Sequence, residues 1–183
     1  LLYIVPLSLG IIMLLLYLNF KAITDVLIIL LTVPLSLIGG VWLMYVQGFN
    51  FSVAAGVGFI ALAGVAVEIG VIMLVYLNQA KSTLIAEARL QQVKISDTSF
   101  INAIVEGAGR RVRPVMMTVA TIIIGLLPIL FGSGTGSEVM SRIAAPLVGG
   151  MLSAVILALI VLPVIFSLVA SNRVKQVNSE IQE

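Results

Sequence analysis

A chain of 183 residues of which 61% are hydrophobic and 10% charged, with a formal net charge of +2, has the composition of an integral membrane protein and not of a soluble domain. It contains no cysteine and no histidine, which excludes disulfides, thiolate and imidazole metal sites, zinc-dependent intramembrane proteolysis and any nucleophile served by a histidine base. The small positive charge does not argue for nucleic acid, because the basic residues stand beside membrane-length apolar blocks, where they set topology.

Five apolar blocks, 1–18, 25–46, 53–77, 114–131 and 143–170, are each predicted to cross a bilayer once as a helix. Short turns at 19–24 and 47–52 separate the first three, a long polar loop covers 78–113, a glycine-rich turn covers 132–136, and a polar tail follows from 171 to 183. Within the long loop, Ser96 or Asp97 is expected to cap a helix with Phe100, Ile101, Ile104 and Val105 on one face and Gly107 and Gly109 at its end, lying on the membrane surface. The expected fold is therefore all-α, with five transmembrane helices plus an interfacial helix.

Of the ten Lys and Arg residues, only Arg142 falls on one side of this arrangement. Lys21, Lys81, Arg89, Lys94, Arg110, Arg111, Arg113, Arg173 and Lys175 fall on the other, which is predicted to be cytoplasmic. The N-terminus then faces outside and the tail lies in the cytoplasm. The chain opens in mid-helix without an initiator Met, and is expected to be a fragment of a longer protein.

Glu68 is the one carboxylate in the block from Val53 to Leu77. About 25 helical residues cover roughly 37 Å against a hydrocarbon core of about 30 Å, so Glu68 lies well inside the membrane. An acid there costs about 2.5–3.5 kcal/mol on insertion scales and marks an ion or proton pathway; the plainer reading is a structural acid bonded to a neighbouring helix. Ala61 and Gly64 share its side of the helix, which predicts close approach of neighbouring backbones there. Gly39 and Gly40, and Gly149 and Gly150, offer further close-contact sites. A carboxyl at this depth can exchange a proton if water reaches it and its surroundings change between states. In the fourth block Thr118 and Thr121 could pass a hydrogen bond, although membrane threonines commonly bond their own helix backbone.

Two features are decoys. The string GSGTGSE at 132–138 lacks the lysine a phosphate cradle needs and reads as a turn. Glu138 and Arg142, spaced i, i+4, read as support for a helix end.

The strings FIALAGVAVEIGVIMLVYL from Phe59, RVRPVMMT from Arg111, GLLPIL from Gly125 and GSGTGSEVMSRIAAPLVGGM from Gly132 closely resemble the heavy-metal efflux branch of the resistance-nodulation-division (RND) exporters. The resemblance covers nearly the whole chain and is strongest to the copper and silver exporters of that branch. It implies the C-terminal half-bundle of a proton-driven antiporter in the bacterial inner membrane, a secondary transporter and not an enzyme. It also implies a homotrimer working with a periplasmic adaptor and an outer-membrane channel, and no cofactor beyond the coupling proton. Position by position, Glu68 matches the relay glutamic acid of the copper and silver exporters, Thr118 the relay threonine and Arg111 a basic residue at the cytoplasmic entrance. The implied substrate is Cu(I) or Ag(I). Val115 departs from this, standing where the copper exporters carry a relay lysine, and keeps divalent zinc, cobalt or cadmium open. A multidrug exporter using the same relay and a non-transporting membrane scaffold also stay open. Of the seven methionines, Met13, Met44, Met73, Met116, Met117 and Met151 read as apolar packing. Met140 matches a methionine of the metal-passing pairs, its thioether suited to Cu(I) or Ag(I).

Overall fold

The computed structural model describes residues 3–180, the side chains of 4–6, 9 and 172–180 excepted, and is helical almost throughout. The helices are α1 (Ile4–Phe20), α2 (Ile23–Val46), α3 (Val53–Gln91), α4 (Asp97–Phe131), α5 (Ser137–Ile156) and α6 (Leu162–Glu180). A π-helical turn, Leu157–Val161, joins the last two. Leu1 and Leu2, and the side chains of Arg173 and Lys175, lie outside the described residues.

The all-α membrane fold is as expected. Among the described residues four helical stretches are long and apolar enough to cross a membrane: Ile23–Val46, Val53–Gln91, Asp97–Phe131 and Ser137–Ser171. A shorter apolar helix, Gly10–Phe20, stands at the first expected crossing.

The polar segment 78–113 differs from expectation. Helix α3 does not stop at Leu77 but runs for 39 residues, about 58 Å, far more than the roughly 30 Å of a hydrocarbon core. Ser52 caps its start, the Oγ accepting from the Ala55 N–H at 3.3 Å. Residues 78–91 are mostly Ala, Leu, Glu, Gln, Lys and Arg with no Gly or Pro, so helix propensity persists where hydrophobicity ends. The loss of hydrophobicity marks a membrane boundary and not a helix end. Likewise Ser96 occupies the cap position of α4, but Gly107 and Gly109 do not end the helix. It continues through Pro114 to Phe131. Gly107 serves helix contact instead, since a Cβ there would stand 2.8 Å from the Ala80 Cβ of α3. On the first turns of α4, Phe100 and Ile104 are buried against α3 and α6, while Ile101 and Val105 remain exposed.

Helix α5 begins at Ser137, ahead of Ile143, and the tail stays helical to Glu180. The π turn precedes Pro163, and Leu162 N–H reaches back five residues to the Leu157 carbonyl. Proline has no N–H for the carbonyl four residues earlier, and a wider turn accommodates that gap.

Helix α5 packs against α2, α3 and α4, and glycines set its distance from them. A Cβ on Gly39 would run into the Gly149 carbonyl oxygen, and one on Gly149 into that of Gly39. Gly40 also lies close to Pro146, a Cβ there standing 2.8 Å from its carbonyl oxygen. A Cβ on Gly58 of α3 would strike the Ile143 carbonyl oxygen, and one on Gly150 the Leu62 side chain. Ser153 Oγ donates across the same crossing to the Ser36 carbonyl at 2.8 Å.

Gly149→Val should therefore lower stability by about 1–3 kcal/mol through overpacking against backbone that cannot yield. Gly109→Ala, whose Cβ would meet nothing within 4 Å, should be neutral or slightly stabilising. Retention of the monodisperse peak after heating in detergent, followed by size-exclusion chromatography, separates the two.

Candidate functional site

The face of α3 that meets α2 and α5 carries Ala55, Gly58, Leu62, Ala66, Ile69 and Met73, all buried. Glu68 lies off that face and is exposed, as are Ala61 and Gly64 beside it. The expected close approach of another backbone at Gly64 is not made by this chain: a Cβ there would meet nothing within 4 Å. The small residues that seat neighbouring helices are Gly58 and Gly70 instead. A Cβ on Gly70 would come within 3.2 Å of the Thr32 hydroxyl oxygen.

Helix α4 runs alongside Glu68. Arg111, Val115, Thr118 and Ile122 follow one another at helical spacing, and with Glu68 they line a cleft of about 70 Å³, room for a few water molecules. Ile69 and Ile72 of α3 and Met151 of α5 complete its apolar walls. Three residues singled out from sequence, Glu68, Arg111 and Thr118, thus meet in one place. Val115 stands in the same wall, buried with Leu62, Ala66, Ile69, Val119 and Met151. The position where the resemblance implies a relay lysine therefore faces the site and contributes only a hydrocarbon surface. Arg111 is the one basic residue lining the cleft among the described residues.

Local chemistry holds each group differently. Thr118 Oγ1 donates to the Pro114 carbonyl at 3.0 Å, and Thr121 Oγ1 to the Met117 carbonyl at 2.8 Å. The threonines thus satisfy their own helix, and only Thr118 lines the cleft. The Arg111 guanidinium lies 4.7 Å from the centroid of the Tyr76 ring, an attraction of about 0.5–2 kcal/mol depending on desolvation. Its Nε is buried without a hydrogen-bond partner among the described residues. The neighbouring Arg110 points elsewhere, paired with Glu106 at 2.8 Å.

Met140 is not part of this assembly. It is exposed on the first turn of α5 and lines an open hollow with Pro128, Ile129 and the glycine-rich turn, where no second methionine stands among the described residues. Of the other methionines, Met44, Met73 and Met151 are buried packing, whereas Met13, Met116 and Met117 are exposed. Among the described residues no group of acidic side chains is placed to hold a metal ion. Arg142 lies over the Phe49 ring at 5.9 Å.

Sequence reading missed two features. Tyr76 follows Glu68 by two helical turns on the same side of α3, a spacing visible in sequence, but its partner could be named only once α4 was known to continue past Gly107. Asn78 Nδ2 donates to Asp25 Oδ2 at 2.9 Å and Lys81 Nζ to Asn78 Oδ1 at 2.8 Å, tying α2 to α3. That link joins positions far apart in sequence and has no local signature.

The chain matches the family model of the AcrB/AcrD/AcrF family over residues 1–170. It is 51% identical over 170 residues to the cation efflux system protein CusA of Escherichia coli O157:H7, covering 92% of this chain and 16% of that one. It is 35% identical over 165 residues to the cobalt-zinc-cadmium resistance protein CzcA of Cupriavidus metallidurans, covering 90% of this chain and 14% of that one. Among solved structures it resembles a heavy metal efflux pump with a TM-score of 0.76 and 34% identity, covering 92% of this chain and 15% of that one. The chain thus spans about a sixth of the length of the CusA protein it matches.

Apolar carbodiimides attack protonated carboxyls that water-soluble reagents do not reach. Dicyclohexylcarbodiimide applied to membranes is expected to modify Glu68 from the cleft, with the adduct read by peptide mass spectrometry; an unmodified Glu68 at full reagent excess would mean that the cleft is closed to it.

Proposed function

The chain belongs to the AcrB/AcrD/AcrF family, within the heavy-metal efflux branch of the RND exporters, and from that premise we propose that it forms part of the proton-translocating membrane domain of a metal-cation exporter. The observation that carries this reading is the cleft that gathers Glu68, Arg111 and Thr118 from two helices. Residues 1–183 constitute a partial C-terminal transmembrane domain of a longer chain in the bacterial inner membrane. The N-terminus lies on the periplasmic side, and the end rich in Lys and Arg lies in the cytoplasm.

In the proposed cycle Glu68 takes a proton from the periplasmic side and releases it past Arg111 to the cytoplasm. The ionised carboxylate is drawn to the guanidinium, and Thr118 can turn its hydroxyl from the Pro114 carbonyl to donate to it. Protonation removes that attraction, so the two states of Glu68 favour different placements of α3 and α4. One charge crossing 100 mV supplies about 2.3 kcal/mol, enough to bias such a pair of states roughly 50-fold. The membrane motion then drives metal expulsion by parts of the protein outside this segment, working as a homotrimer with a periplasmic adaptor and an outer-membrane channel. The metal is substrate, and no resident cofactor is invoked.

For the metal we propose Cu(I) or Ag(I), supported by Glu68 and by the higher identity to CusA than to the cobalt-zinc-cadmium protein. Met140, at the opposite end of the bundle, is the proposed thioether contact for that metal. A divalent substrate is the second reading, and Val115, an apolar residue in the wall of the cleft, favours it.

Growth on copper, silver and zinc, tested separately in cells carrying the complete transporter at matched expression, decides among these. Glu68→Gln is expected to reduce copper and silver tolerance to the level of cells without the transporter and to leave zinc tolerance unchanged. Loss of zinc tolerance instead would reassign the metal, and full tolerance to all three would return Glu68 to a structural role, as in a non-transporting scaffold.

A further inference from the structure

The charged end of the bundle holds a second and larger hollow, about 510 Å³, between the extensions of α3 and α4. Its walls are polar: Gln79, Thr83 and Glu87 come from α3, and Ser99, Asn102 and Glu106 from α4. Tyr76 closes one end of it. The Glu68 cleft begins on the other side of that ring, where Arg111 is a lining residue. The two side chains that touch across this boundary are therefore one from each hollow, and their contact is the guanidinium over the ring at 4.7 Å.

This contact is built into the helix packing. Glu68, Ile72 and Tyr76 follow at i, i+4 and i+8 on α3, so the ring stands two turns from the carboxyl along one face. On α4, Gly107 permits the close approach: a Cβ there would stand 2.8 Å from Ala80 Cβ and 3.4 Å from the Tyr76 carbonyl oxygen. Arg111 is one turn further along α4 from Gly107. The approach of the two backbones at Gly107 is thus what delivers the guanidinium to the ring. Arg110 and Glu106, paired with each other at 2.8 Å, leave Arg111 as the arginine at the boundary.

We infer that the Tyr76–Arg111 stack is the partition between a water-filled polar vestibule and the Glu68 cleft, with Tyr76 as the positioning residue that holds Arg111 across it. The inference deepens the proton-relay reading and rests on it for its purpose, since a carrier coupled to transport must not stay open to one side. An aromatic face suits the task. It attracts a guanidinium without offering a carboxylate that would fix it, and it blocks a chain of water molecules that would join the two hollows. As the proton departs towards the vestibule, ionised Glu68 can draw Arg111 off the ring.

The test uses the complete transporter with its other cysteines removed and Ile72→Cys introduced between the ring and the carboxyl. A charged methanethiosulfonate reagent added from the vestibule side reports access to the cleft by its rate of labelling. With Tyr76 in place labelling is expected to be slow. Tyr76→Leu should raise the rate about tenfold, and Tyr76→Phe, which keeps the ring, should leave it within twofold. Arg111→Gln breaks the same stack from the other side and should match Tyr76→Leu, which preserves the test if the leucine variant does not elute as folded protein. Equal rates with and without the stack would overturn the partition. Metal tolerance of Glu68→Gln is scored separately: tolerance retained there would sink the proton relay, while the labelling rates would still decide whether the ring separates the two hollows.

Discussion

The approach of bare backbones between α2, α3 and α5 governs the rest of the molecule. In lipid there is little hydrophobic force to press helices together, so their association depends on close packing and on hydrogen bonds between them. Here Gly39 meets Gly149, Gly40 meets Pro146 and Gly58 meets the Ile143 carbonyl, all at distances that a Cβ would forbid. Ser153 adds its hydrogen bond to the Ser36 carbonyl across the same crossing. With α5 seated this deeply, Met151 reaches the wall of the cleft. The side of α3 that carries Gly58 and Gly70 is taken up by neighbouring helices, and Glu68 is left turned away from it.

A second set of constraints acts at the charged end. Asp25, Asn78 and Lys81 form a chain of hydrogen bonds joining the start of α2 to the middle of α3, and the Lys81 ammonium also lies 5.1 Å from the Phe166 ring centroid. Hydrogen bonds to charged groups contribute more than neutral ones, so this chain fixes how far α3 slides relative to α2. Beside it Phe100 and Ile104 of α4 pack with Leu77, Ala88 and Phe166. The segment that leads to Arg111 is thereby held as a continuation of the apolar part of α4.

The transmembrane blocks, the glycine contacts of α2 and α5, and Glu68 are legible in the sequence, because each leaves a local mark: a long apolar run, a small-residue pair, or a lone charge in hydrocarbon; Arg111 and Thr118 are marked chiefly by the resemblance. Helix ends are harder to read. Hydrophobicity stops at Leu77 and suggests a helix end there, yet the backbone responds to propensity and not to polarity. Gly107 suggests a helix break, yet tertiary contact with Ala80 turns its missing side chain into an asset. The resemblance identifies Arg111 as a basic residue at the site entrance, but its stacking on Tyr76 depends on that continued helix and cannot be read before it. Met140 shows the opposite limit: chemistry legible in the residue type is not matched by any second sulfur beside it among the described residues.

Val115 sharpens the electrostatics of the proposed cycle. Arginine keeps its proton at any pH a membrane protein meets, so in the cleft a moving proton must ride on Glu68, and Arg111 can only respond to it. With valine in place of a lysine, the cleft holds one permanent cation and one acid among its described lining residues. Its charge then alternates between zero, when Glu68 is ionised, and plus one, when Glu68 is protonated. A second cation would hold the carboxylate ionised and oppose reprotonation. The aromatic ring of Tyr76 gives the single guanidinium a resting place in the plus-one state without adding a countercharge. Replacement of the lysine by an apolar residue is therefore compatible with proton coupling, provided that the arginine has somewhere to go.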